Sequence, residues 1–166
     1  MANKPSKTGD RTDRTRKYLT FRLAQEVYGL DILKVQEIIG MMNVTRIPRL
    51  PEFIRGVINL RGMVIPVVDL RLKFDLGSQQ DTDKNCIIVV QISSSARSLT
   101  TGVIVDEVSD VMDIGADQIE PPPSFGHNLD TAFLLGMAKV NQKVILMLDI
   151  DRALTEDDLC ILQRAA

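Results

Sequence analysis

From Phe53 to Arg71 the chain reads FIRGVINLRGMVIPVVDLR, two apolar arms separated by Arg61-Gly62. β-Branched residues crowd both arms, and glycine supplies the positive φ that a short hairpin needs, so the pattern predicts two antiparallel strands and a tight turn. The pattern returns eighty residues later as FLLGMAKVNQKVILMLDIDR, Phe133 to Arg152. Without a gap, Phe53 aligns with Phe133, Gly56 with Gly136, Arg61-Gly62 with Asn141-Gln142 and Asp69 with Asp149. The chain therefore reads as two copies of one β unit.

Taken in order, Tyr18 to Leu23 sets Leu19, Phe21 and Leu23 against Tyr18, Thr20 and Arg22, the period of a half-buried strand. A turn at Ala24 to Glu26 leads to strands at Val27 to Ile32 and Val35 to Gly40, with a bend at Leu33-Lys34. Strict alternation puts Val35, Glu37 and Ile39 on one face, with Gln36 and Ile38 on the other. Pro48 and Pro51 forbid a long helix before the hairpin, and Pro66 marks its second arm as locally an edge or bulged. Leu70 to Leu76 fits a turn or two of helix, and the polar run 77–85 (GSQQDTDKN) is the expected boundary between the copies.

The second copy keeps the order. Cys86 to Ile92 matches the first strand, Gly102 to Met112 matches Gly29 to Ile39, and Ile119 to Pro123 takes the place of Ile47 to Pro51. Ser124 to Asp130 reads as a polar loop, and the chain closes with a helix from Asp151. There Thr155 caps a turn rich in acids, and Leu159, Ile161 and Leu162 form the packing side. Units of about five short strands are too small for open sandwiches, and closure removes their edges. The fold expected is all-β with a C-terminal helix, two β-barrels packed together.

Charge separates the N-terminus from the rest. Lys4, Lys7, Arg11, Arg14, Arg16 and Lys17 face only Asp10 and Asp13, so residues 1–16 read as a disordered basic leader and residues 17–166 as an acidic body. Such a body has no electrostatic footprint for nucleic acid. Two cysteines far apart, Cys86 and Cys160, suit buried thiols of a reducing compartment, and the cytoplasm is expected. The N-terminus is too polar for a signal peptide, and no apolar run approaches the ~20 residues of a membrane span.

Catalytic candidates are few. His127 sits beside Gly126 and Asn128 in a polar loop, where a solvated side chain is expected. One histidine and two distant cysteines make neither a zinc signature nor a Cys-His pair, and Gly56 and Gly62 lack the spacing of a phosphate loop. Asp110, Asp113 and Asp117 do not follow the calcium-loop spacing. No enzyme activity, cofactor or metal is expected. The informative residues are those at which the copies diverge. Asn141 suits a left-handed turn, whereas Arg61 places a long cation where the turn gains nothing from it, and with Glu37 it makes a candidate recognition pair.

The segments YGLDILKVQEII (Tyr28 to Ile39), FIRGVINLRG (Phe53 to Gly62, preceded by Arg46, Ile47 and Pro48), PVVDLR (Pro66 to Arg71) and VDEVSDV (Val105 to Val111) together resemble the CheW family of chemotaxis coupling proteins. The resemblance implies two five-stranded SH3-like barrels around a shared apolar seam. It also implies a non-enzymatic adaptor between the cytoplasmic tips of transmembrane chemoreceptors and the regulatory domain of the histidine kinase CheA, recruited to the membrane's inner face through receptor arrays. By motif, Val35, Glu37 and Arg61 fall where the family contacts receptor. A second reading is a small ligand-binding β-barrel protein that shares the fold. Exposed apolar grooves rimmed by charge favour the adaptor, and an enclosed cavity with convergent polar groups favours the ligand binder.

Overall fold

The computed structural model describes residues 15–77, 81–94, 97–122 and 133–165. Two hairpins anchor it. One joins β4 (Ile54–Leu60) to β5 (Met63–Asp69), and the other joins β10 (Leu134–Val140) to β11 (Lys143–Leu148). Both turns are left-handed at both residues, with φ of 53° and 87° at Arg61 and Gly62 and of 50° and 66° at Asn141 and Gln142. That geometry matches the twist of the flanking strands. Each hairpin ends alike: Asp69 N–H donates to Phe53 O and Asp149 N–H to Phe133 O, both at 2.7 Å. Each of these aspartates then caps a one-turn helix, α1 (Leu70–Lys73) or α2 (Ile150–Ala153), by accepting amides of its first residues.

The remaining strands are β1 (Thr15–Leu23), β2 (Glu26–Asp31), β3 (Val35–Gly40), β6 (Cys86–Ser93), β7 (Ser98–Val105), β8 (Glu107–Gly115) and β9 (Ile119–Glu120). They form a six-stranded sheet, β8-β1-β2-β11-β10-β9, and a five-stranded sheet, β3-β6-β7-β5-β4. The repeat read in the sequence is present, but its boundary at 77–85 is not the boundary between the sheets. Each sheet takes its first two strands from one copy and its remaining strands from the other, so β2 lies parallel to β11 and β5 parallel to β7. The exchange occurs at the links from β2 to β3 and from β7 to β8, positions where a hydrophobic pattern carries no record of partner choice.

The two halves repeat in detail. Between Val35 and Glu37 the ladder to β6 slips by one residue at Gln36, and between Phe21 and Thr20 the ladder from β1 to β8 slips at Ser109. These bulges are equivalent, and the first corrects an expectation. Val35 lies opposite Val90 while Glu37 lies opposite Val89, so the two side chains leave β3 on different faces. The strand counterpart of Glu120 is Thr45, not the Ile47–Pro51 run, because Thr45 bridges Val57 as Glu120 pairs with Met137. Close approach explains the aligned glycines: a Cβ on Gly56, whose φ is 138°, would lie 2.0 Å from Thr45 O, and one on Gly136 would lie 2.4 Å from Glu120 O. Pro66 is tolerated because the pairing of β5 with β7 starts only at Val67.

Alternation sorts the core into three layers. Ile58, Ile65, Val67, Ile87, Val89 and Ile104 fill the inside of the five-stranded sheet, and Tyr18, Ile114, Ala138, Ile145 and Met147 that of the other. The opposite faces share the largest cluster, which includes Leu19, Phe21, Leu23, Leu30, Val68, Ile88, Val90, Val103 and Leu148. This is the shared apolar seam, and it carries a stack of rings running Phe21, Tyr28, Phe74, Phe133. Helix α3 (Glu156–Ala165) adds Leu159 and Leu162 to it, started by the expected cap in which Thr155 Oγ1 accepts Asp158 N–H and Asp158 Oδ2 accepts Thr155 N–H. Lys73 ties that helix down by reaching Asp158 at 2.5 Å from above the Phe53 ring.

Two smaller expectations need adjustment. β1 begins at Thr15, opposite Gly115, and Arg16 pairs with Asp31, so the end of the proposed leader is already strand. Cys86 and Cys160 are unpaired but half-buried, not buried. The rest of the leader, the 124–130 loop with His127, and part of the 77–85 segment lie outside the described residues.

Candidate interaction site

Strand β3 is the edge of its sheet, paired on one side only with β6. The bulge at Gln36 turns Glu37 to the face of Val89 and Ile39, toward the barrel interior and the hairpin tip. There Arg61 donates from Nη1 to Glu37 Oε1 at 2.7 Å and from Nη2 to Oε2 at 2.5 Å, a bidentate pair. Arg61 is 71% exposed and Glu37 27% exposed in their side chains. The guanidinium's hydrogen bonds, reinforced by its charge, hold the Glu37 carboxyl below the usual carboxylate range, and Glu37 in turn raises Arg61. A left-handed φ at a non-glycine residue costs energy, so Arg61 is kept there against local preference.

Apolar surface is exposed on the same segments. Met63 is 60% exposed and Val64 50% on the arm after the turn, and Ile38, 42% exposed, leaves β3 on the face of Val35, opposite Ile88. Ile39, Met41 and Leu60 are partly buried against the barrel core beneath. Val35 is brought near the same strand edge but on the other face, where it packs partly buried against the seam. The structure thus joins Glu37 to Arg61 as the sequence led us to expect, and it separates Val35 from them by one bulge. Sequence reading missed the exposure of Ile38, Met63 and Val64. Its signal was that strict alternation fails to bury every apolar residue of these arms.

The other barrel lacks the clasp. Asp110 and Asn141 occupy the positions of Glu37 and Arg61, and Asp110 Oδ1 accepts the amide of Val111 instead. Among the described residues there is no cluster of histidine, cysteine and carboxylates suited to a metal, and no helix long and apolar enough to cross a membrane. Two clefts among the described residues are open to solvent: one of ≈ 590 Å3 is lined by both signs of charge, including Arg22, Arg71, Lys84, Asp83, Asp106 and Glu107, and one of ≈ 390 Å3 by Arg46, Arg49 and the Pro48–Pro51 turn. In the first, Arg71 pairs with Asp106, and Arg22 lies 3.8 Å from Glu107.

Comparison with known proteins places this architecture. The CheW-like domain matches residues 17–158. Over 151 residues the chain is 40% identical to a chemotaxis protein CheW of Klebsiella aerogenes, covering 90% of this chain and 87% of that one. It is 31% identical to a chemotaxis protein CheW of Bacillus subtilis, covering 85% and 88%. The crystal structure of the scaffolding protein TtCheW from Thermoanaerobacter tengcongensis superposes with a TM-score of 0.72 at 42% identity, covering 81% of this chain and 88% of that one. With the duplicated hairpins, the two sheets on one seam and this agreement over most of its length, the chain belongs to the CheW family.

Proposed function

We propose that this protein is a non-enzymatic adaptor that couples the cytoplasmic tips of chemoreceptors to the histidine kinase CheA. The observation that carries the reading is the Arg61–Glu37 clasp: an exposed bidentate ion pair held on a strained turn, with exposed Met63, Val64 and Ile38 on the same segments. A turn that served only the fold would carry glycine or asparagine there, as the other hairpin does at Asn141. Receptor tips are helical hairpins, and a helix docks where apolar walls are joined by a few charges that fix its register. The edge of β3 offers both, with Val35 and Ile38 as apolar contacts and the clasp as the polar one. Glu37 aims the guanidinium, and Arg61 makes the contact.

The kinase is assigned to the ends of the molecule. Because the two halves are similar and the family's kinase domain resembles both, each end of this protein meets the opposite end of its partner, and such heterologous contacts close into rings. The protein works in the cytoplasm and reaches the membrane only through receptors. Co-sedimentation with a receptor cytoplasmic fragment and a CheA regulatory domain tests the reading. Joint capture of both supports it, and binding of neither contradicts it. The ligand-binder reading lacks support in these two clefts, which are open and not enclosed, the first with Arg71 and Asp106 paired in its wall.

A further inference from the structure

Two ion clusters occupy equivalent ends of the two sheets with their charges reversed. In the first, Arg71 of α1 donates from Nε to Asp106 Oδ1 at 2.7 Å, and Asp106 Oδ2 accepts the amide of Ala24, just past the end of β1, at 2.8 Å. Asp106 lies on the link from β7 to β8. In the second, Lys34, on the link from β2 to β3, donates to Asp151 Oδ2 of α2 at 2.7 Å. Asp151 Oδ1 accepts the amide of Ser93, at the end of β6, at 2.8 Å. The repeat alignment sets Leu33-Lys34 against Asp106-Glu107, Arg71 against Asp151 and Ala24 against Ser93. At one end the carboxylate is on the link and the cation on the helix. At the other end these are exchanged, yet the same strand-end amide is satisfied.

A duplicated chain has a competing arrangement in which each copy closes on itself, with β2 beside β5 and β7 beside β11. Hydrophobic patterning fits both arrangements, since the strands being interchanged are equivalent. The charges do not. Self-closure would bring Lys34 to Arg71 and leave the Ala24 amide without a carboxylate, while Asp106 and Glu107 would meet Asp151. Arg71 and Asp106 are 11% and 19% exposed in their side chains, so water would relieve such mismatches poorly. We infer that the reversed Arg71–Asp106 and Lys34–Asp151 pairs are a pairing lock that selects the strand-exchanged fold over two self-closed halves. Selection of this kind needs a penalty on the competitor as well as a reward for the native state.

The test uses the full-length chain. Leu33→Asp/Lys34→Glu/Asp151→Arg copies the first cluster onto the second end, so that either arrangement satisfies its ion pairs. Adding Arg71→Asp/Asp106→Leu/Glu107→Lys interchanges the clusters completely and restores discrimination. Both proteins are refolded from urea, and NMR contacts between strands are read: Gly29 to Met147 and Gly102 to Val67 report exchange, whereas Gly29 to Val67 and Gly102 to Met147 report self-closure. The triple variant is expected to show self-closed pairing in about a tenth of molecules or more, and the sixfold variant to return to exchanged pairing alone. A triple variant with exchanged pairing alone overturns the inference. So does a sixfold variant that still mixes pairings or fails to fold, since both clusters are present with their ends interchanged and only the exposed Arg22–Glu107 contact of 3.8 Å is lost.

Discussion

Arg61 clasps Glu37 through both Nη atoms, across a strand bulge and from a turn whose left-handed backbone disfavours it. Glu37 has its acidity strengthened by that contact, which fixes the direction of the pH response. A carboxyl whose pKa is depressed on folding contributes fully above its unfolded value of about 4.3 and loses the contribution as pH falls through the lower folded value. The Arg61 side-chain N–H resonances should therefore be constant from neutral pH to about pH 5 and move in a single step below the ordinary glutamate range. In Glu37→Gln that step should vanish. Its persistence would show that another acid holds Arg61.

Gly56 is fixed by the strand crossing it. Gly56→Ala would drive a Cβ into the Thr45 carbonyl, a backbone atom that cannot swing away, at a φ that also opposes it. A loss of about 2–4 kcal/mol in urea unfolding is expected. A loss no larger than that of an ordinary surface change would mean that the Thr45 segment is not held against β4.

Thr101 is fully buried in the middle of β7, and its hydroxyl finds no hydrogen-bond partner among the described residues. A buried hydroxyl left unsatisfied is unfavourable, and valine has the same shape without it. Thr101→Val should raise stability by about 1 kcal/mol. Destabilisation would reveal a partner for the hydroxyl.

Gln142 shares the left-handed turn geometry of Gly62 without glycine's freedom. Gln142→Gly should stabilise by about 1 kcal/mol, seen as a higher melting temperature. An unchanged or lower value would indicate that its side chain is engaged.

Much of this fold was legible because its signals are local. The hairpins announce themselves through apolar arms and turn residues, Thr155 through the acids that follow it, and the duplication through aligned Gly56 and Gly136. The Arg61–Glu37 pair was legible from divergence between the copies, which isolates a residue that the turn does not need. Two features were not. The bulge at Gln36 that parts Val35 from Glu37 depends on the ladder to β6, since alternation counts residues and not partners. The strand exchange depends on which of two equivalent strands sits beside β2, and only polar groups such as Lys34 and Asp151 distinguish them. The Ile119–Pro123 match went astray because β9 is two residues long and leaves almost no periodicity to align.

Arg61, aimed by Glu37, is the receptor contact proposed for this protein. The direct measurement is titration of Arg61→Ala against a receptor cytoplasmic fragment and, separately, against the CheA regulatory domain, with the fold checked by circular dichroism. Receptor affinity should fall about tenfold or more, the scale of an interface hot spot, with Glu37→Ala falling less and kinase affinity unchanged in both. Loss of kinase binding with receptor binding intact would contradict it and assign the two surfaces the other way round.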